Sequence, residues 1–183
     1  LLTMILTGGK VMAGENLTTK QTNIVKIASY TAAGDLEKLK GALNAALDDG
    51  LTVNEIKEIL VQMYAYCGFP RSLNGIGAFM NVLENRKDKN DKIGEEGKIL
   101  PKDMDKFAYG DKVQVELTGD HVKGALFDFA PAIDSYLKEH LFADIFARGV
   151  LTNQEREVAT IAALGSMSGV EPQLNAHIEM GKN

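Results

Sequence analysis

The last third of the chain carries two side chains of types that enzymes use to bind carboxylates and to move protons. Arg156 falls in the first turn of a predicted helix, where the positive end of the helix dipole disfavours a cation. An arginine at that position indicates a negatively charged partner, such as a carboxylate substrate. His177 follows Leu174 by three residues, near the apolar stripe of the next predicted helix, and imidazole exchanges protons near neutral pH. A histidine buried for purely structural reasons is an equally good interpretation.

Candidate carboxylates lie beside Arg156 and on an earlier helix. Glu155 directly precedes Arg156, and Glu55, Glu58 and Gln62 fall on one side of a predicted helix at 53–66, away from its apolar stripe. Because two apolar residues share that side, a carboxylate there can have a raised pKa and can donate or accept a proton. The alternative is a surface glutamate favoured by the helix dipole, and Glu55 also has a predicted capping role.

The single cysteine is a third candidate. Cys67 stands at a predicted helix end, just before a Gly-Phe-Pro turn. A helix C-terminus disfavours the thiolate, and without a second cysteine no intramolecular disulfide can form. Structural burial is therefore the favoured interpretation. Next to it, Tyr66 can donate a hydrogen bond to a ligand and Arg71 can grip a carboxylate, although interface packing explains both residues equally well.

Composition limits the partners of the chain. A length of 183 residues suits one domain or two small ones that share a core, and 45% apolar residues can bury a sizeable interior. The net charge of −5, without a dominant basic stripe, argues against nucleic acid as the main partner. No apolar run reaches the roughly 18 residues that a membrane span needs.

Residues 1–16 allow two interpretations. Their short apolar stretch and small residues resemble the tail of a secretory signal, which would imply a periplasmic rather than a cytoplasmic protein. Lys10 and the lack of a basic start favour instead an apolar arm or helix that packs on a neighbouring subunit.

The elements that must position these residues are helices throughout. Thr18/Gln21, Thr52/Glu55 and Thr152/Glu155 each form a capping-box pattern ahead of an apolar periodic run. Apolar periodicity predicts helices at 36–48, 53–66 and 71–84, and a further one from Pro131 to Arg148. The apolar sets assigned to the last two are Leu73, Ile76, Phe79, Met80, Leu83 and Ile133, Tyr136, Leu137, Leu141, Ile145.

A segment near the start of the chain is predicted to recur near its end. Residues 17–21 and 39–43 match residues 151–155 and 174–178 if one residue is inserted, which indicates an internal repeat. We predict a first repeat at 17–84, a charged linker at 85–125 and a second repeat at 126–183. The second copy consists of a lead-in helix plus the first half of the unit. Either the chain is truncated there or the second unit takes a helix from elsewhere.

The two predicted copies differ at the chemically interesting positions. Thr22 and Ala42 of the first copy stand where the second has Arg156 and His177. A complete site must therefore combine Glu58 of the first copy with the arginine and histidine of the second, within or between subunits.

These motifs resemble the carboxymuconolactone decarboxylase family. The resemblance rests on the run from Gly50 to Glu58, on the Tyr-Cys-Gly-Phe-Pro-Arg run at 66–71, and on the stretch from Leu151 to His177. It implies a helical fold like that of alkylhydroperoxidase D, usually assembled as a trimer or hexamer. It also implies decarboxylation of a carboxylated lactone without a metal or organic cofactor, with Arg156, His177, Glu58 and Glu155 at matching positions.

Three hypotheses about function follow. The first is a cofactor-free enzyme that acts on a small carboxylated or lactone substrate. The second is a thiol-dependent peroxidase or antioxidant protein that uses Cys67 with an external thiol, since the Cys-x-x-Cys pair of the related peroxidase is missing. The third is a non-catalytic oligomeric binding protein on the same helical scaffold.

Overall fold

The structure, a computed structural model, describes residues 17–87 and 89–181 fully and residues 6–7 and 10–11 by their backbone. In chain order its elements are the strands β1 (Leu6–Thr7) and β2 (Lys10–Val11), and the helices α1 (Thr19–Ala33), α2 (Leu36–Asp48), α3 (Val53–Gln62), α4 (Tyr64–Asn85), α5 (Lys106–Thr118), α6 (Ala125–Phe129), α7 (Pro131–Ser135), a π-helical segment (Tyr136–Ile145), a 3-10 turn (Phe146–Arg148), α8 (Asn153–Leu164) and α9 (Glu171–Met180). Apart from the two-residue strands, which pair antiparallel, the described elements are helical, and the all-α fold class is confirmed.

The chain divides into two compact units. One unit comprises the residues up to Glu96 together with those from Val150 onward, and the other comprises Gly97–Gly149. The segment that the sequence predicts to be a charged linker contains helix α5. The predicted internal repeat and its boundaries stay predictions. The interpretation of residues 1–16 as an arm or a signal remnant falls largely outside the described residues.

Helix α1 lies at the centre of the first unit, where it packs against α2, α3, α4 and α8. Its buried side chains are Asn23, Ile24, Ile27, Ala28, Thr31 and Ala32. Apolar residues of the surrounding helices close over them, among them Leu39, Leu43, Ile56, Ile59 and Ala159. The core therefore joins helices α1 to α4 to α8, which lies far away along the chain.

All three predicted capping boxes are present, and they define the starts of α1, α3 and α8. Lys20, in the first turn of α1, joins the other two helix starts. Its ammonium lies 2.7 Å from a carboxylate oxygen of Glu55 and 2.7 Å from one of Glu155. One lysine thereby holds the N-termini of α3 and α8 together, with each glutamate also capping its own helix.

The turn between α3 and the regular part of α4 lies where the sequence predicts a break. Gly68 has φ 80° and ψ 159°, a conformation that glycine adopts without the steric penalty of a Cβ atom. Pro70 follows it, and its fixed φ suits the first turn of the helix that continues to Asn85.

The buried face of α4 differs from the predicted apolar set. Leu73 and Met80 are 60% and 66% exposed, so their prediction as buried residues is wrong, whereas Phe79 is buried. The helix turns a face of small residues inward. An added Cβ atom at Gly75 would lie 3.0 Å from Leu60 and 3.3 Å from Thr31, so only a small residue permits this close approach of α4 to α1 and α3.

In the second unit, α5 packs against the π-helical segment. Leu141 and Ile145 are buried as predicted, but Ile133 and Tyr136 are exposed, and that part of the prediction is wrong. In a π-helix each backbone hydrogen bond joins residues that are five apart. A prediction that assumes the 3.6-residue period of an α-helix therefore assigns some of the wrong residues to the buried face. The buried Lys138 takes part in this packing, with its ammonium 3.0 Å from Asp134 and 3.3 Å from Asp111.

Replacing Lys20 by Met should lower the free energy of unfolding by about 1 kcal/mol, because two carboxylates lose their shared cation. Burial raises the pKa of Glu55, but the Lys20 ammonium and the Thr52 hydrogen bonds outweigh it and hold that pKa below its usual 4.5. The stabilisation from this carboxyl is therefore present above pH 4.5 and is lost as the pH falls through the lower folded-state pKa.

Urea denaturation of both proteins between pH 3 and pH 7 checks this expectation. The wild-type protein should lose more stability than Lys20→Met over that range. Lys40→Met is the matched control, since Lys40 pairs only with the exposed Glu37, and it should change stability by less than about 0.5 kcal/mol. If the wild-type and Lys20→Met proteins lose the same stability between pH 7 and pH 3, Lys20 does not stabilise the Glu55 carboxylate.

Candidate functional site

Arg156 lies at the interface of α3 and α8 and is completely buried. Its Nη2 donates to Glu58 Oε2 at 3.0 Å, and its Nη1 donates to Gln62 Oε1 at 3.0 Å. Glu58 and Gln62 are four residues apart, so both project from one face of α3 toward the guanidinium. The structure therefore brings together Glu58 and Arg156, two of the three residues that the sequence predicts to combine from distant parts of the chain.

A second set of hydrogen bonds fixes the backbone of α8 beside this ion pair. Gln62 Nε2 donates to the Arg156 carbonyl and to Thr160 Oγ1, both at 2.9 Å. The Thr160 hydroxyl in turn donates to the same carbonyl at 2.9 Å. All three side chains are buried, and such satisfied networks favour one fixed arrangement of the helices that carry them. Helix α8 is thereby held in register with α3.

Glu157, the next residue of α8, contacts the candidate histidine. Glu157 is 1% exposed and His177, on α9, is 8% exposed. Glu157 Oε2 lies 2.7 Å from His177 Nδ1. A carboxylate at that distance accepts the Nδ1 proton and orients the ring, which leaves Nε2 as the nitrogen that can exchange protons with a substrate.

Tyr66 completes this part of the site. Its ring meets the His177 ring edge to face, with centroids 5.6 Å apart. Its hydroxyl oxygen is buried and interacts with the Thr160 side chain. Burial and the Glu157 carboxylate raise the pKa of Tyr66 far above its usual value, and nearby Thr160 and Arg156 offset this only in part. The phenol therefore keeps its proton at neutral pH.

Cys67 has the surroundings of a structural thiol. Its Sγ donates to the Met63 carbonyl at 3.1 Å, one helical turn earlier. Burial raises the pKa of Cys67, and the more distant Arg71 lowers it only in part. A raised pKa leaves less of the nucleophilic thiolate at neutral pH, so these surroundings do not favour thiol chemistry.

Glu155 and Arg71, two other predicted site residues, make contacts that stabilise helix ends. Glu155 caps α8 and pairs with Lys20. The Arg71 guanidinium donates to the Ala32 carbonyl at the end of α1. The predicted roles of Glu155 in catalysis and of Arg71 in binding a carboxylate stay predictions. Among the described residues, no cluster of histidine, cysteine and acidic side chains is arranged to hold a metal ion.

The sequence assigns no catalytic or binding role to Glu157, Gln62 or Thr160. Signals for them exist in the sequence: Gln62 follows Glu58 by four residues, and Thr160 follows Arg156 by four residues, so each pair shares a helix face. Glu157 is harder to find. It is adjacent to Arg156 and points to a different neighbour, and only the packing of α9 against α8 shows that this neighbour is His177.

Comparisons with known proteins match part of the chain. Residues 2–80 match the model of the Carboxymuconolactone decarboxylase family, fewer than half of the residues of the chain. The chain is also similar to the uncharacterized protein MJ1511 of Methanocaldococcus jannaschii. The two are 26% identical over 73 residues, which make up 40% of this chain and 68% of that protein. Within the described residues, no helix has both the length and the apolar character needed to cross a bilayer.

Replacing Arg156 by Met should lower the free energy of unfolding by about 3–5 kcal/mol, because it leaves the buried Glu58 carboxylate without its cation. The double variant Glu58→Leu/Arg156→Met removes both charges and should recover most of that loss. Urea denaturation of the two single variants and the double variant measures the coupling. If the double variant loses as much free energy of unfolding as the two single variants lose together, the two charges do not stabilise each other.

Proposed function

We propose that the chain is a cofactor-free enzyme acting on a small, carboxylated, lactone-type substrate, and the match of residues 2–80 to the model of the carboxymuconolactone decarboxylase family supports this proposal. The observation that carries the proposal is the contact of 2.7 Å between His177 Nδ1 and Glu157 Oε2. It supplies an oriented imidazole next to a buried carboxylate, the arrangement that general acid–base catalysis needs.

In the proposed reaction, His177 acts as the proton donor. The bond between the substrate carbon and its carboxylate breaks, carbon dioxide leaves, and the electron pair stays on the carbon, where the conjugated lactone stabilises it. The proton on His177 Nε2 moves to that carbon, and the neutral imidazole regains a proton from solvent. Glu157 keeps the Nδ1–H group in place and stabilises the protonated ring by its charge.

We assign Arg156 and Glu58 to positioning rather than to substrate contact. Both are buried and paired with each other, and Arg156 immediately precedes Glu157 on α8. The pair fixes α8 against α3 and, with it, the carboxylate that orients His177. This assignment differs from the role that the sequence suggests for Arg156, which is to bind the substrate carboxylate directly.

The proposal predicts that His177→Asn lowers the rate of carbon dioxide release from 4-carboxymuconolactone by at least about 100-fold, the typical contribution of a general acid. Glu157→Gln should also lower the rate, because the imidazole loses the carboxylate that holds its Nδ1–H group in place. Circular dichroism should show that both variants fold.

His140→Asn is the matched control, since His140 is exposed and bonds Asp144 in the second unit. It should retain the wild-type rate. Unchanged turnover in His177→Asn would overturn the proposal. Thermal stabilisation of the wild-type protein by the lactone without any turnover would instead favour a non-catalytic binding protein.

We further propose that the protein works as a homo-oligomer, a trimer or hexamer. Helix α4 supports this proposal, because Phe69, Leu73 and Met80 are each at least 60% exposed and follow one another at helical spacing. An exposed apolar stripe of this kind is typical of a surface that another protein covers, and we assign it to a second copy of this chain.

Leu73→Glu should therefore reduce the molecular mass in solution toward that of a single chain, because a charge would be buried in the interface. Light scattering after size-exclusion chromatography measures the mass. Ile99→Glu is the control, since Ile99 is 89% exposed and lies in the second unit. A wild-type protein that is already monomeric, or a Leu73→Glu protein that keeps the oligomeric mass, contradicts the proposal.

A further inference from the structure

Helices α6 and α7 of the second unit pack against little else in the described chain. No side chain of either helix is buried by the described residues, and α6 packs mainly against α7. Each helix is five residues long and begins without a side-chain hydrogen bond at its N-cap. Helices this short are not stable in water by themselves, so we expect a further surface to cover them.

The side chains that these two helices expose include four large apolar ones. Leu126 and Phe129 on α6 are 64% and 91% exposed, and Ile133 on α7 and Tyr136 directly after it are 42% and 67% exposed. The members of each pair are three residues apart, so they are neighbours on one side of their helix. We call α6, α7 and Tyr136 together the α6–α7 arm.

The exposed apolar area of the arm fits a contact between two proteins. At about 200 Å² for each large side chain, the exposed fractions of the four residues leave about 500 Å² open in total. A standard interface buries about 800 Å² on each partner, of which somewhat more than half is apolar. The arm therefore offers about the apolar area that one side of such an interface needs.

The order of the apolar residues along the arm is complementary to itself. If a second arm runs antiparallel and the two copies are related about Pro131, Leu126 lies opposite Tyr136 of the second copy and Phe129 lies opposite its Ile133. The reason is that the members of each pair are equally far from residue 131 along the chain. In this arrangement α6 of one copy faces α7 of the other.

The charges at the two ends of the arm agree with the same pairing. Lys123 and Glu139 are both exposed and equally far from residue 131, so they lie opposite each other with opposite charges. Asp128 lies opposite Asp134, but the Asp134 carboxylate is 3.0 Å from the Lys138 ammonium, which compensates its charge. An antiparallel pair of arms therefore brings together complementary charges as well as apolar surfaces.

We propose that the α6–α7 arm pairs with the same arm of a second copy of this chain, about a two-fold axis near Pro131. Such an interface is isologous, because the same surface of both copies forms it and each contact occurs twice. It gives both short helices the cover that the described chain does not supply. The contact uses neither the α4 stripe nor His177, so it goes beyond the proposed function.

Cross-linking through single cysteines tests the position of the axis. Cys67 is the single cysteine of the chain, so in a Cys67→Ser background Ala132→Cys places one thiol on the exposed surface beside residue 131. Because residues near a two-fold axis lie close to their own copies, a short bismaleimide should join most chains into covalent dimers. Lys112→Cys on α5 is the matched control, since Lys112 is 75% exposed, and its chains should stay single on a denaturing gel.

Phe129→Asp tests the apolar contact, because it would bury a charge in the interface. It should halve the molecular mass that light scattering measures and abolish the cross-link through Ala132→Cys. Ile99→Asp is the matched control, since Ile99 is 89% exposed but lies outside the arm, and it should keep the wild-type mass. Circular dichroism should show the wild-type helix content in both variants.

Three results overturn the proposal. They are a wild-type assembly with an odd number of chains, a Phe129→Asp protein that keeps the wild-type mass, and equal cross-linking through Ala132→Cys and Lys112→Cys. In each of these cases another part of the same chain or a different protein covers the arm.

Discussion

The buried ion pair between Glu58 and Arg156 is the interaction on which the arrangement of the first unit depends. Both charges have left water, and an ion pair in such a setting is tolerated only with good geometry and further hydrogen bonds. Here Gln62 supplies those bonds, since its amide accepts from the Arg156 guanidinium and donates to the Arg156 carbonyl. Any slip of α8 along α3 would break this set and leave a charge unpaired.

The same constraint explains the environment of His177. Helix α8 presents Arg156 to α3 and the adjacent Glu157 to α9, so one helix connects the ion pair with the histidine. Lys20 adds a second connection at the helix starts, where it joins Glu55 to Glu155. The charge pairs of the site therefore form only when the helices pack, because each pair joins side chains from two different helices.

Helix α8 carries two neighbouring residues with different contacts. Around Arg156 the polar atoms of Gln62 and Thr160 bond one another. Around His177, Glu157 Oε2 lies at Nδ1 and the Tyr66 ring packs edge to face. The helix that the Arg156 contacts hold against α3 is therefore also the helix that places a carboxylate at His177.

The sequence by itself determined the all-helical class and the starts of α1, α3 and α8, because capping boxes and apolar periodicity are local signals that neighbouring residues carry. It missed α5, which lies in the predicted linker. It also identified Glu58, Arg156 and His177 by their types. Only the tertiary structure decided which groups these residues meet. It paired Arg156 with Glu58 internally, gave His177 the neighbour Glu157, and turned Leu73 and Met80 of α4 outward. The physical reason is that burial and charge pairing depend on contacts between residues far apart in the chain, such as Gln62 and Thr160, and a local pattern does not specify such contacts.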